Sequence, residues 1–221
     1  SYPWRENAET GHQDEEVTDC IRSLQDDYKW PNTIHTTTGK RNYKRILNIA
    51  SRLRNVLQVG CSVQSLNPKT LDVIKRVNIP MDQYKIIQKE LKERGMLSAA
   101  ELIMPLPEET INSYFNGIKS VIEAGVTRIT PYTTMMLKGT YLDSDECRTK
   151  YNMKTKYRIL PLQFGEYIGE KCFEVEEVCI ATNTMSYEEY IECREFAFVS
   201  SLFSCLQFDV ILKVIEELGI D

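Results

Sequence analysis

The chain has 221 residues, 42% of them hydrophobic and 27% charged, with a formal charge of −5. That length suits one large domain with a sizeable core or two small ones. Without a dense Lys/Arg block, the acidic balance argues against a nucleic-acid surface. No apolar run reaches the roughly 18 residues that a membrane span needs. Seven cysteines are spread over positions 20, 61, 147, 172, 179, 193 and 205, with no C-x2-C pair. An odd number of scattered thiols fits a reducing cytoplasm, the localisation expected here. The chain opens Ser1-Tyr2-Pro3-Trp4, so residue 1 is not expected to be a native start.

The first predicted helix runs from Asp14 to Lys29, with Val17, Cys20, Ile21 and Leu24 at helical spacing, and Pro31 ends it. A strand over 33–38 follows. A second helix over 42–55 puts Ile46, Leu47, Ile49, Ala50 and Leu53 on one face and leaves Arg45, Arg52 and Arg54 outside. Next come a strand over 56–63, a helix over "NPKTLDVIKRV" capped by Asn67, and a helix over "MDQYKIIQKELKERG" closed by Gly95. A strand over 99–104, a helix from Glu108 to Ala124 stopped by Gly125, and a strand over 126–133 complete the rhythm. Short, continuously apolar strands alternating with amphipathic helices predict an α/β fold with a parallel sheet covered on both faces.

After Thr133 the rhythm breaks. Residues 134–172 are mixed, "KCFEVEEVCIATNTMS" alternates like a strand, and Ser186 caps a long helix with Glu188 and Glu189 in its first turn that runs on to Leu218. Phe196, Phe198, Phe203 and Phe208 on that helix are read as packing residues. The expected organisation is one domain over 1–133 and an extension over 134–221 packed on it.

In parallel α/β folds ligands gather at the carboxyl ends of the strands. "VGCSVQSLNP" gives the second strand a polar exit, in which Gln64 can both donate and accept as sugar hydroxyls require, or serve a helix cap with Ser62 and Ser65. Arg76 could clamp a ligand carboxylate or be solvated. Glu101 interrupts an apolar strand: pointing inward it needs a donor, pointing outward an ion pair suffices. Pro105 and Pro107 remove two backbone donors and stiffen a ledge whose free carbonyls and apolar rim could face a flat ligand. The two histidines, His12 and His35, have no metal-ligand spacing around them, and no glycine-rich phosphate loop occurs.

Taken in order, "QSLNPKTLDVIKRVNI", "AELIMPLPEETINSYFNGI" and "GVTRITPYTTMMLKGTYL" resemble the second half of a radical S-adenosylmethionine (SAM) barrel of the cobalamin-binding kind. "EVEEVCIATNTMSYEEYIECREFAF" resembles the C-terminal region of those proteins, and the likeness runs over residues 10–215. The resemblance implies a partial (β/α) barrel, here its last three to four βα units plus a C-terminal helical extension. It implies S-adenosylmethionine cleaved by a [4Fe–4S] cluster in a parent protein, with cobalamin on a further N-terminal domain and a small-molecule substrate. Gln64 and Glu101 would bond the ribose hydroxyls, Arg76 the methionyl carboxylate, and "LIMPLPEE" would flank adenine. The strand over 126–132 would border adenine through its backbone.

None of the seven cysteines has the C-x3-C-x2-C spacing that holds the cluster. The expectation is therefore a fragment, inactive alone, running from just before the third barrel strand to beyond the sixth. Its open strand edge makes a homodimer an expected partner state. The alternatives are a non-enzymatic nucleotide- or partner-binding scaffold, and a small complete enzyme using Glu101 as an acid or base. Residues 134–172 would either cover the barrel mouth or pack on the core as a tethered loop.

Overall fold

A computed structural model describes residues 10–34, 43–57, 59–60, 62–203 and 209–219. The expected strand residues 35–38, His12's side chain, His35, Cys61, Cys205 and Phe208 lie outside what it describes. α1 (Thr10–Tyr28) and α2 (Tyr43–Arg52) pack together at one side. α1 turns a more polar face inward than its spacing predicts. Thr18 and Gln25 are buried while Val17 and Cys20 are exposed, and Gln25 Nε2 donates to the carbonyls of Pro31 and Leu53. The three arginines of the second helical stretch do lie off the apolar face. Each meets an α1 carboxylate: Arg45 with Asp14 at 2.6 Å, Arg52 with Asp19, and Arg54 with Asp26.

The central sheet has three parallel strands in the order β1 (Val59–Gly60), β2 (Ser98–Met104), β3 (Arg128–Thr133). A parallel bridge from Ile34 to Leu57 adds a fourth position beside β1. Helices α3 (Pro68–Val73), α4 (Met81–Glu93) and α5 (Ile111–Glu123) fall between the strands. This alternation with parallel pairing is a partial α/β barrel. α3 opens with Pro68 at its first turn, where a missing N–H costs nothing, and with Asn67 Oδ1 accepting from the Lys69 amide. α5 starts later than the sequence predicts, at a reciprocal Thr110/Ser113 capping box, which leaves Glu108 and Glu109 in the preceding loop.

Alternate residues of β2 divide the two faces. Ala100, Leu102 and Met104 are buried in a core shared with Tyr84, Ile87 and Leu91 of α4 and Tyr114, Ile118 and Val121 of α5. Ala99, Glu101 and Ile103 are half-exposed on the opposite face.

The stretch after β3 is more regular than its mixed composition suggests. A 3-10 turn (Tyr141–Asp143) and α6 (Asp145–Lys150) lead into a long antiparallel hairpin, β4 (Lys154–Tyr167) and β5 (Glu170–Ala181). The backbone of residues 134–136 continues β3 and pairs with β5, through Met136 N to Glu177 O and Cys179 N to Thr134 O, each 2.9 Å. Arg148 of α6 forks onto both oxygens of Glu177 at 2.8 Å and onto Asp143 at 2.6 Å, which holds the Glu177 carboxyl down at about 2. Met136, Cys147, Tyr151, Met153 and Cys179 form a second, smaller core beneath this lock.

Ser186 caps the next helix as expected: Glu189 N donates to Ser186 Oγ, and Ser186 N to Glu189 Oε2. Helical structure over the predicted stretch is described as α7 (Tyr187–Phe203) and α8 (Asp209–Leu218), with residues 204–208 between them outside the described residues. Tyr190, Cys193 and Ala197 of α7 join the main core, and Phe196 stacks against Phe115 with centroids 4.3 Å apart. Phe198 and Phe203, predicted as packing residues, are exposed. No helix among the described residues is long and apolar enough to cross a membrane.

The hairpin turns over Ile168 and Gly169, with φ of 53° and 80°, between the paired Tyr167 and Glu170. Two positive φ values in a two-residue loop fit a type I′ turn, for which asparagine at the first position is suited and a β-branched residue is strained. Ile168→Asn is expected to stabilise the chain by about 1 kcal/mol, raising the thermal midpoint by roughly 2–4 °C. Differential scanning calorimetry checks this; an unchanged or lower midpoint would exclude strain at Ile168.

Candidate functional site

Two of the sequence-predicted residues meet at the carboxyl end of the sheet. Glu101 is on the face of β2 that turns away from the helices, and its Oε2 accepts from Ser62 Oγ at 2.7 Å. The inward-or-outward alternative is therefore resolved: the carboxylate faces the open side of the sheet and has a hydroxyl donor. Gln64 reaches the same side by a different route. Gly60 pairs with Ala99 and Gln64 with Leu102, so four steps along one chain match three along the other. With this slip and a φ of 57°, Gln64 leaves the strand alternation. Its backbone still holds the ladder, N to Glu101 O and O from Ile103 N, both 2.8 Å. Its side chain makes no hydrogen bond within the described residues and lines the cleft that Glu101 lines.

That cleft has a volume of about 820 Å³. Its floor is the strand ends, with Gln64, Glu101, Ile103 and Tyr132. One wall is the end of α3, with Asp72 and Lys75, and the other is the 137–151 segment, with Leu137, Tyr141, Lys150 and Tyr151. Part of 134–172 thus walls the cleft, while Tyr157 and Tyr167 project from the hairpin into solvent. A mostly apolar concavity with a few convergent polar groups is the usual form of a small-molecule site.

Arg76 is placed elsewhere. α3 ends at Val73, so Arg76 sits in the exposed connection beyond it rather than on a helix, and it does not line the cleft. Its neighbour Lys75 does, paired with Asp72 at 3.4 Å. The ledge also differs from the sequence reading. Pro105 and Pro107 are buried, and Leu106 between them reaches the cleft lining. The Pro105 carbonyl is not free: it accepts from Thr134 Oγ1 at 2.7 Å, while Met104 O accepts from Thr134 N at 2.9 Å. With no N–H of its own to offer, this stretch is satisfied by the strand exit beside it.

The residue that sequence reasoning missed is Glu109, 1% exposed. Its carboxylate accepts from the hydroxyls of Ser65 and Ser113, and its carbonyl from Thr184 Oγ1 at 2.7 Å. Asn67 Nδ2 donates to the neighbouring Glu108 carbonyl at 2.7 Å. The exit of the β1 segment, the Pro-rich turn and the turn before α7 are therefore tied at one buried point. Ser65 and Asn67 lie more than 40 residues from Glu109 in sequence, so no local signal marked it. Burial pushes the Glu109 carboxyl above its ordinary 4.5, and the hydroxyl and amide donors offset this only in part.

No protein-family model matches the chain. It is 24% identical over 196 residues to the cobalamin-dependent radical SAM methyltransferase TokK of Streptomyces tokunonensis, covering 86% of this chain and 28% of that protein. It is 28% identical over 178 residues to the 2-(S-pantetheinyl)-carbapenam-3-carboxylate methyltransferase of Streptantibioticus cattleyicolor, covering 78% and 25%. Among solved structures, the radical SAM methyltransferase TsrM from Kitasatospora setae superposes on 70% of this chain and 30% of its own, at 11% identity and a TM-score of 0.49. The fold and cleft define a partial α/β barrel with its ligand end open. The chain is a relative of the cobalamin-binding radical SAM proteins and matches part of one. It spans about a quarter of the length of the curated relatives it matches.

A raised folded pKa means that the folded chain holds the Glu109 proton more tightly than the unfolded chain. Stability then falls as pH rises from the ordinary value of 4.5 through the raised one. Glu109→Gln is expected to remove that slope, gaining stability relative to the parent between about pH 4 and about pH 8. Urea midpoints at the two pH values test it. A constant difference would mean that Glu109 does not titrate in this window.

Proposed function

We propose that this chain forms the nucleoside-binding strand ends of a radical SAM methyltransferase barrel. The observation that supports this most is the convergence of Gln64 and Glu101 on one cleft from adjacent parallel strands. Glu101 has one oxygen on Ser62 and the other without a hydrogen bond among the described residues, and Gln64 offers a donor and an acceptor beside it. A ribose presents two adjacent hydroxyls, and this pair suits them: the carboxylate accepts from one, and the amide accepts from or donates to the other. Tyr132 and the backbone of β3 border the same floor, where a flat base would lie.

The described residues do not offer a site for the [4Fe–4S] cluster. Among the described residues, no three His, Cys, Asp or Glu side chains gather as a metal site, and Cys147, Cys179 and Cys193 are buried. Cluster ligation needs several thiolates at one place. In this reading, the cluster and the cobalamin are held by residues outside this chain, and the chain by itself does not cleave S-adenosylmethionine. Both curated relatives are methyltransferases, and one is named for a small-molecule substrate, 2-(S-pantetheinyl)-carbapenam-3-carboxylate. A small organic substrate in the remainder of the cleft, next to the nucleoside, follows the same reading.

Calorimetric titration with 5′-deoxyadenosine tests the nucleoside end. Binding is expected, with Glu101→Gln and Gln64→Ala each weakening it about tenfold by removing a charge-assisted or neutral hydrogen-bond pair. The 2′,3′-dideoxy analogue is expected to bind no better to the parent than 5′-deoxyadenosine binds to the double variant. Equal binding of both nucleosides would sink the ribose assignment. Anaerobic reconstitution with iron and sulfide is expected to leave iron far below one cluster per chain. A stable cluster with S-adenosylmethionine cleavage would overturn the inactivity of the isolated chain.

A further inference from the structure

The wall of the cleft opposite α3 has a cation, Lys150, that makes no salt bridge among the described residues and has the Tyr151 side chain as its partner. Lys150 is the last residue of α6, a helix pinned on its other sides. Cys147 and the following Tyr151 are buried in the second core, and Arg148 is locked to Asp143 and Glu177. The backbone under Lys150 is therefore fixed, and its side chain lines the cleft with the ammonium 5.2 Å from the Tyr151 ring centroid. Among the described residues it makes no ion pair within 4 Å; Glu146, one turn earlier, does not close one. Of the other charges lining the cleft, Lys75 is paired with Asp72, and Glu101 has one oxygen on Ser62 and is assigned above to the nucleoside. The surface around Lys150 is apolar, with Leu137, Leu142 and Met135.

We infer that Lys150 recognises a carboxylate on a small apolar molecule that binds in the cleft beside the nucleoside. The inference rests on the reading of Gln64 and Glu101 as the nucleoside end, because that reading leaves this half of the cleft for a second ligand. An ammonium whose partners are the Tyr151 ring and hydroxyl has donors to spare, and gains a charge-assisted bond when a carboxylate arrives without an internal ion pair breaking first. The apolar neighbours take the body of the ligand. Lys75, by contrast, already faces Asp72 at 3.4 Å. The 137–151 segment would thus select the second ligand, while the strand ends hold the first.

The test uses 4-(trifluoromethyl)benzoate and its neutral amide as ¹⁹F NMR probes on the full chain. The parent is expected to bind the carboxylate about tenfold more tightly than the amide, as one charge-assisted contact allows. Lys150→Gln removes this preference without changing amide affinity, Lys150→Arg keeps it, and Lys75→Gln leaves it intact. Equal affinity for the two probes, binding of neither, or a preference that survives Lys150→Gln overturns the proposal. So does a preference that disappears with Lys75→Gln instead. The two readings fail separately. A benzoate preference that depends on Lys150, together with 5′-deoxyadenosine binding indifferent to Glu101→Gln, would dismiss the nucleoside end alone. Nucleoside binding that depends on Glu101, without a benzoate preference, would dismiss the role of Lys150 alone.

Discussion

A buried carboxylate holds this fold's working end together. Glu109 sits where the exit of the β1 segment, the Pro-rich turn after β2 and the turn before α7 come within reach of one another. None of these three stretches has regular backbone pairing to fix it, and each ends in groups that need partners. The buried Glu109 with two serine hydroxyls supplies them. The cost of burying the carboxyl shows in its raised pKa. What it returns is position, because Ser65 follows Gln64 directly and the turn that Glu109 anchors follows Met104 at the end of β2.

The cleft inherits its chemistry from two departures within the sheet. β2 is regular, so Glu101 faces the open side simply because Leu102 and Met104 must face the helices. The neighbouring segment is irregular: continuing the Gly60–Ala99 register would set Gln64 opposite Ile103, on the face of Glu101, but a one-residue slip sets it opposite Leu102, which faces the core. The φ of 57° at Gln64 breaks the strand alternation there, and the side chain still lines the cleft beside Glu101. The relationship to cobalamin-binding radical SAM proteins gives these two side chains a ligand to consider; the backbone at Gln64 explains how they share one cleft in spite of the slip.

Regular strands and capped helices were legible from the residues. The strand over 99–104 is found at 98–104, and the glycines at 95 and 125 close their helices with φ of 66° and 88°. The reading failed where pairing partners decide structure. A strand over 56–63 is mostly too irregular for ladder pairing, since its slip depends on β2. β4 was hidden because lysines, Pro161 and a register shift between Ile159 and Phe164 blur its alternation, and only its partner strand reveals it. Glu109 was read as the first turn of a helix, where glutamates are common, and nothing local distinguishes a capping acid from a buried one. Arg76 was read as helical, but α3 stops at Val73, three residues before it, so Arg76 falls in the exposed connection instead.

The hairpin bears on the cleft through the way it is fastened. β5 pairs with residues 134–136, and Arg148 clamps the same strand to α6, so the ribbon and the 137–151 wall are mechanically one piece. Its far end carries Phe164, Phe173 and Val175 on one exposed face, more than 20 residues along the chain from the clamp's α6 end in the case of Phe173 and Val175. That exposed apolar face is therefore joined to both sides of the cleft, to the floor through the backbone of residues 134–136 and to the wall through the Arg148 fork, so whatever covers it is attached to the site at two points.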